Sequence, residues 1–306
     1  MVRRDFVKYP NTDFPAEIKI LENVAGKEIW RPEATVIIPT FDGFRGGYLS
    51  RLIEQLKLQT FQDFEVIIVK GDPRQGRAIN KAAEIARGDI LITLDDDTRL
   101  GSTSVFDSLV SALRQNPQIG MAGVSNLIPR DASWFVRRVM TELPRRDSSL
   151  VDKITDSDMA EHPCCAIPKE VFYRVGGERE DIIRGLDPYL RQVIRAAGLR
   201  VVVIPHTWIH HLPPSSLRSL LRQFFRNGAF SAWGREVCKE TPIEVPDGHI
   251  SDYKTQRSIL FRLFRFAWRI PHSLITFKFI YFFTLWAYMF GYFYGAIVKE
   301  RAGSEK

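Results

Sequence analysis

The chain has 306 residues, 45% of them hydrophobic and 26% charged, which is enough to bury a core and too apolar for a disordered segment. Its net charge of +7 suits phosphate-rich substrates and anionic lipid headgroups; the arginines gather near 130–146 and 218–269 without a nucleic-acid module, so no nucleic-acid partner is expected. Three cysteines, with Cys164 and Cys165 adjacent, make a poor disulfide framework and contain no CxxC zinc motif. MVRRDFVKYPNTDF carries no apolar run and does not read as a secretory signal.

Residues 1–33 read as an N-terminal extension. A buried strand is expected at 34–39 (ATVIIP), followed by Leu49, Leu52, Ile53 and Leu56 at helical spacing. A second strand, 64–69 (FEVIIV), stops at Gly71-Asp72-Pro73, and Ile79, Ala82, Ala83 and Ala86 mark one face of a helix. The third strand, 90–94 (ILITL), runs directly into Asp95-Asp96-Asp97. Val105, Leu109, Val110 and Leu113 predict another helix, and 119–124 a fourth strand. Residues 126–162 are polar, arginine-rich and weakly periodic, compatible with a lid, an acceptor loop or a small antiparallel excursion. Beyond them come a short strand at 164–168, a helix through Leu190, Val193, Ile194 and Ala197, and a strand at 200–204. The alternation predicts an α/β domain over 34–235, with a mostly parallel sheet covered on both faces.

After a connector at 236–256, the tail changes character. In 257–270, Arg262, Arg265 and Arg269 share one helical side, with Leu260, Leu263, Phe264 and Ala267 turned away, as in a helix lying in a membrane interface. Pro271 is expected to end it. The stretch 279–298 is uncharged; at about 1.5 Å per residue, twenty residues just cross a hydrocarbon core of about 30 Å. A shallow hairpin, an apolar contact between copies of the chain, or a packing helix of a soluble protein is the alternative. Basic residues before the stretch outweigh those in the polar tail 299–306, which favours a catalytic domain on the cytoplasmic side of the cell membrane.

Carboxylates at the end of a buried parallel strand occupy the edge where open α/β sheets bind ligands. Asp95 and Asp97, one residue apart, suit a hard Mg²⁺ or Mn²⁺ bridging to diphosphate oxygens. The simpler reading is a cap for the following helix, but three successive aspartates repel one another without a counter-charge.

VIIPTFDG (36–43), FEVIIVKGD (64–72), GRAINKAAEIARGDILITLDDDT (76–98), VGG (175–177), GLDPYL (185–190), AAGLRVVVIP (196–205) and RQFFRNG (222–228) occur in order. Together they resemble the inverting family 2 glycosyltransferases of GT-A fold. The resemblance implies that Thr40 and Asp42 lie by the nucleotide, Asp72 at a second nucleotide corner, and Arg77 and Asn80 along the base or diphosphate. It makes Asp95 and Asp97 the DxD metal motif, Asp97 the stronger direct ligand, with Asp95 and Asp96 also on the donor side. The family's Glu-Asp pair is here Leu186-Asp187, so Asp187 matches the general base; it also sits where a helix cap would, and Glu180 and Asp181 are its rivals. A histidine of HTWIHH (206–211), His211 rather than His210, would complete the metal shell. Gln223 and Arg226 resemble the glutamine/arginine element of processive members, but Asn227 replaces their tryptophan, which points to a non-processive enzyme.

The expected activity is therefore metal-dependent, inverting transfer of a sugar from a UDP- or GDP-linked donor to a lipid or polyprenyl-linked acceptor at the bilayer. Polyprenyl phosphate itself is an alternative acceptor. A nucleotidyltransferase would need a glycine-rich basic loop after the first strand, of which TFDGFRGG is a faint version; a non-catalytic membrane scaffold would have no use for the metal and base candidates.

Overall fold

The computed structural model describes residues 16–21, 31–237 and 259–304. Strand β2 (Ala34–Thr40), after the edge strand β1 (Glu17–Leu21), shows why the apolar runs are continuous rather than alternating. Ala34, Val36 and Ile38 enter one core and Ile37 the other. A sheet with helices on both faces has no wet side, so successive side chains are apolar although they point in opposite directions. β3 (Phe64–Lys70) and β4 (Ile90–Leu94) repeat the pattern and flank β2 in parallel, with Val66 and Ile92 both level with Val36. Helices α1 (Tyr48–Lys57) and α3 (Val105–Gln115) close the first core through Leu52, Leu56, Phe106 and Leu109. On the other face lie α2 (Gln75–Ile85), α5 (Lys169–Arg174) and α6 (Leu186–Ala196), which contribute Ile79, Phe172, Leu190 and Ile194.

The remaining strands are β5 (Thr98–Leu100), β6 (Ile119–Asn126), β7 (Thr155–Asp156), β8 (Cys164–Pro168) and β9 (Arg200–His211). The sheet order is β1-β3-β2-β4-β8-β6-β9-β5, with β7 on β9. The sheet is parallel at β3-β2-β4 and at β6-β9, and mixed across its width. β8 runs antiparallel to both β4 and β6. Within the expected N-terminal extension, residues 17–21 add an exposed antiparallel edge to β3.

The stretch 126–162 has the structure that its weak periodicity hid. It contains α4 (Trp134–Glu142), whose first turn is capped when Ser133 Oγ accepts the Val136 N–H. At its other end, Glu142 Oε2 accepts the N–H groups of Ile280 and Tyr281 at 2.8 and 3.1 Å. Glu142 is buried and ion-paired to Arg138, whose guanidinium also donates to the Phe277 carbonyl at 3.1 Å. α4 thus caps the start of α9 (Phe279–Ser304) from a distance.

Among the described helices, α9 contains one stretch, Phe279–Val298, long and apolar enough to cross a membrane. Phe283, Phe290, Phe293 and Ile297 are exposed on it. Its opposite side lies on α7 (Leu217–Val237) at backbone contact: a Cβ at Gly228 would stand 2.0 Å from the Tyr288 carbonyl oxygen, and one at Gly291 1.9 Å from that of Phe225. The Trp233 indole N–H donates to the Gly295 carbonyl at 2.8 Å. α8 (Ile259–Ile275) does not stop at Pro271 as expected but continues one turn further, with the Ser273 hydroxyl donating to the Ile270 carbonyl beside the proline. The expected arginine face falls partly outside the described side chains, at Arg262 and Arg265; Phe264 and Trp268 are exposed. The expected connector lies outside the described residues from position 238 onward.

Candidate active site

β4 delivers the acidic run to the sheet edge. Asp95, Asp96 and Asp97 form the turn between β4 and β5, and the next helix begins only at Val105, so they cap no helix. β5 pairs antiparallel with β9, Thr98 opposite His211, which brings the last residue of β9 alongside the turn. His211 Nε2 lies 3.2 Å from Asp97 Oδ1 and 3.6 Å from Asp95 Oδ2. One donor atom each from Asp95, Asp97 and His211 falls within 4.8 Å of the others. His210, one residue earlier, turns the other way and places Nδ1 2.7 Å from the Leu127 carbonyl oxygen. The His211 N–H is held by Asn126 Oδ1 at 2.9 Å, and Gln75 Nε2 donates to Asp95 Oδ1 at 2.8 Å.

Counter-charge comes from the loop after β2. Arg45 Nη2 donates to Asp97 Oδ2 at 2.7 Å, and its Nε lies 3.4 Å from Asp96 Oδ1. The loop is shaped for this: Asp42 Oδ1 accepts the N–H groups of Phe44 and Arg45, Arg45 takes the left-handed φ of 48°, and Gly46 and Gly47 follow at 64° and 87°. Thr40 Oγ1 donates to Asp96 Oδ2 at 2.6 Å. Asp42 is thus engaged in its own turn, and Thr40 and Asp96 in each other.

The three aspartates differ as their neighbours dictate. Burial pushes the Asp95 carboxyl up to about 6, with Asp97 and Asp187 adding repulsion against the pull of His211. Burial acts the same way on Asp97, but the hydrogen bond and charge of His211, with Arg45, outweigh it and hold this carboxyl well below the usual range. Burial disfavours the His211 cation, and Asp97 and Asp95 more than compensate. Arg226 of α7 is destabilised as a cation by burial, then by Arg45 and Arg222 nearby, so these three guanidiniums gather beside the acidic turn.

Asp187 stands in the first turn of α6, after Gly185 at φ 91°, yet caps nothing. Its Oδ1 accepts the His162 N–H at 2.7 Å and lies 2.5 Å from His162 Nδ1. His162 Nε2 in turn lies 2.7 Å from Glu178 Oε1. His162 and Glu178 are buried, while the Asp187 side chain is 29% exposed, enough for one oxygen to reach a substrate. The rivals are committed elsewhere: Asp181 to Arg179, and Glu180 to Asn80 Nδ2 at 2.9 Å.

At the second corner, the Asp72 carboxylate is closed off. It takes two hydrogen bonds from Arg77 at 2.8 and 2.9 Å, faces Lys81 and accepts the Arg74 N–H. Asn80 ties down the loop before α6 by accepting the Glu178 N–H and donating to its carbonyl. Gln223 keeps a buried Oε1 without a hydrogen-bond partner. Three participants escaped sequence reasoning: Arg45, His162 and Glu178. The one signal for Arg45 was the basic, glycine-rich TFDGFRGG loop, read only as a weak mark of another enzyme class.

The mixed α/β sheet thus carries an acidic turn and a histidine together at one edge. Residues 48–166 match the model of a family described as "Glycosyltransferase like family". The O-antigen biosynthesis protein RfbC of Myxococcus xanthus is 27% identical over 230 residues, covering 61% of this chain; the chain spans only 18% of that protein's length. Among solved structures, the mannosyltransferase PcManGT of Pyrobaculum calidifontis, in complex with GDP-Man and Mn²⁺, is similar over 90% of this chain and 76% of its own, with 16% identity and a TM-score of 0.49. TarS 1–349 of S. aureus, in complex with UDP-GlcNAc, shares 10% identity over 64% of this chain and 65% of its own, with a TM-score of 0.45. The chain is thus similar to family 2-like glycosyltransferases over residues 48–166, on a mixed α/β sheet.

Proposed function

We propose that the chain transfers a sugar, with inversion, from a UDP- or GDP-linked donor to a lipid or polyprenyl-linked acceptor at the cytoplasmic face of the cell membrane. The observation that carries this reading is the set Asp95, Asp97 and His211, its donor atoms within 4.8 Å of one another beneath a group of arginines. Two carboxylate oxygens and an imidazole nitrogen fit Mg²⁺ or Mn²⁺ better than a soft metal. Such an ion, when bound, offsets the negative charge that develops on the departing nucleoside diphosphate. Arg45 and Arg226 would hold the diphosphate oxygens, with Gln223 beside them. Thr40, Asp72, Arg77 and Asn80 then act by keeping the acidic turn, the corner and the loop before α6 in place.

In the transfer itself, the acceptor oxygen bonds to the anomeric carbon as the bond from that carbon to the diphosphate oxygen breaks. The hydroxyl proton passes to Asp187. The docked apolar helix α9 and the exposed aromatics of α8 support a bilayer location, and the basic residues before α9 support the cytoplasmic orientation. A second acceptor reading draws on one observation. Burial would raise the Asp187 carboxyl, but the charge and hydrogen bonds of His162 hold it well below the usual range, so it is a weak base. Polyprenyl phosphate, already ionised, would need no stronger one.

The test is a panel of UDP- and GDP-sugars with polyprenyl-phosphate and glycolipid acceptors, assayed with and without Mn²⁺. Transfer lost in both Asp97→Asn and Asp187→Asn supports a hydroxyl acceptor. Loss in Asp97→Asn alone supports the phosphate. Full transfer by Asp97→Asn, or release of pyrophosphate instead of nucleoside diphosphate, sinks the proposal.

A further inference from the structure

His162 bridges two carboxylates, one of them buried. Its Nδ1 is 2.5 Å from Asp187 Oδ1 and its Nε2 is 2.7 Å from Glu178 Oε1. A neutral imidazole has one donor nitrogen and one acceptor, and an ionised carboxylate only accepts. A ring serving both oxygens as donor must therefore carry both protons. The backbone joins in: the His162 N–H gives Asp187 Oδ1 a second hydrogen bond from the same residue. One oxygen of Asp187 is pinned twice while Oδ2 takes no hydrogen bond from the described residues, in a side chain that stays 29% exposed. Glu178 is immobilised behind the ring: its N–H and carbonyl are both held by Asn80.

We propose that His162, held as a doubly protonated imidazolium by Glu178, is the positioning residue of this site: it orients Asp187 and keeps it ionised with its free oxygen toward the acceptor. The inference rests on Asp187 being the base of the proposed transfer. The arrangement answers a local electrostatic problem. Asp187 lies close enough to Asp95 for each to disfavour the other's charge, and Asp97 adds to the excess. Without a cation between Asp187 and the buried Glu178, three carboxylates would crowd one dry edge. The charged and titratable groups facing the pair are Glu178 before α6, Arg191 on α6, Asp95 at the end of β4 and Cys165 on β8. Arg191 supplies the second cation and donates to the Ala160 carbonyl at 2.8 Å, fixing the approach to His162. Burial alone would strip the proton from His162; Asp187 and Glu178 reverse that and hold it well above the ordinary histidine range.

The test uses the full chain in detergent. Histidine-labelled protein, with the His162 resonances assigned by their loss in His162→Gln, is read by side-chain ¹⁵N NMR at about pH 8, where a free histidine is neutral. Both ring nitrogens should be protonated; a ring with one bare nitrogen overturns the proposal. Carboxyl ¹³C titration should then show the Asp187 midpoint rising by about one pH unit or more in His162→Gln, and by less in Glu178→Gln. An unmoved midpoint overturns it as well. Should His162→Gln fail to fold, Glu178→Gln and His162→Asn report the same midpoint. Turnover of UDP- and GDP-sugars with Mn²⁺ separates the two levels of argument. If Asp187→Asn works normally, the base reading falls whatever the NMR shows. If Asp187→Asn is inactive while His162→Gln keeps the wild-type pH profile, only the role of His162 falls.

Discussion

At the sheet edge, Asp95, Asp97, His211 and Asp187 are held by side chains reaching from five different segments, whereas α7 and α9 meet through bare backbone at Gly228 and Gly291. The first region depends on charge. The second has almost no charge at the contact and tolerates no change of shape. Chemistry here is spread over sequence-distant polar groups, and the docking of the tail is closest at three missing side chains, Gly228, Gly291 and Gly295.

The largest effect that would sharpen this contrast is expected from Asp97→Asn. It keeps the volume and removes a metal-ligating charge, so donor turnover should fall about a thousandfold. Retained Mn²⁺-dependent turnover would break the electrostatic account. With a hydroxyl acceptor, Asp187→Asn should cost about 10²–10⁴-fold in kcat. On the other side, Gly291→Val drives a Cβ into the Phe225 backbone and should destabilise the protein by about 3 kcal/mol, measured by thermal or denaturant unfolding in detergent. A fully stable Gly291→Val protein would show that α9 does not sit on α7 as described. The smallest effect belongs to Glu142→Ala, which uncaps α9 and should cost about 1 kcal/mol.

A pH experiment probes the sheet edge without mutation. Asp95 binds its proton more tightly folded, at about 6, than its usual value of 3.8. In the metal-free protein this contribution favours folding at low pH and is lost as pH rises between those values. A metal needs Asp95 ionised and His211 neutral, so Mn²⁺ affinity should fall as pH drops, by about tenfold per pH unit for each group once it is protonated. Mn²⁺ titrations at several pH values check this; a flat affinity from pH 5 to 7 would remove Asp95 from the shell.

How much was legible follows the same division. β2, β3, β4, β6, β8 and the first half of β9 were readable because burial on both faces makes each a continuous apolar run, whereas the exposed β1 and the short β5 and β7 carry no such run. Asp95 and Asp97 were readable because they close such a run. His211 was separable from His210 only because neighbours on a strand point oppositely. Arg45 was hidden since its reach to Asp97 depends on a left-handed backbone no motif encodes, and His162 since it lies between elements, 16 and 25 residues from its partners. Glu142 was out of reach for a similar reason, as its partners lie 138 and 139 residues further on. Pro271 misled because a proline usually ends a helix, and here one more turn forms beyond it.

The glycine contact between α7 and α9 has a practical consequence. α7 carries Gln223 and Arg226 on one part of its surface and offers Phe225, Ala229 and Trp233 to α9 on another. Cutting the chain before residue 279 would remove more than an apolar helix. It would unwall the helix that presents Arg226 to the acidic turn, so such a truncation should misplace the arginine even where the sheet survives intact. The tail is a structural partition of the catalytic unit, and an expression strategy has to keep it or replace the face it covers.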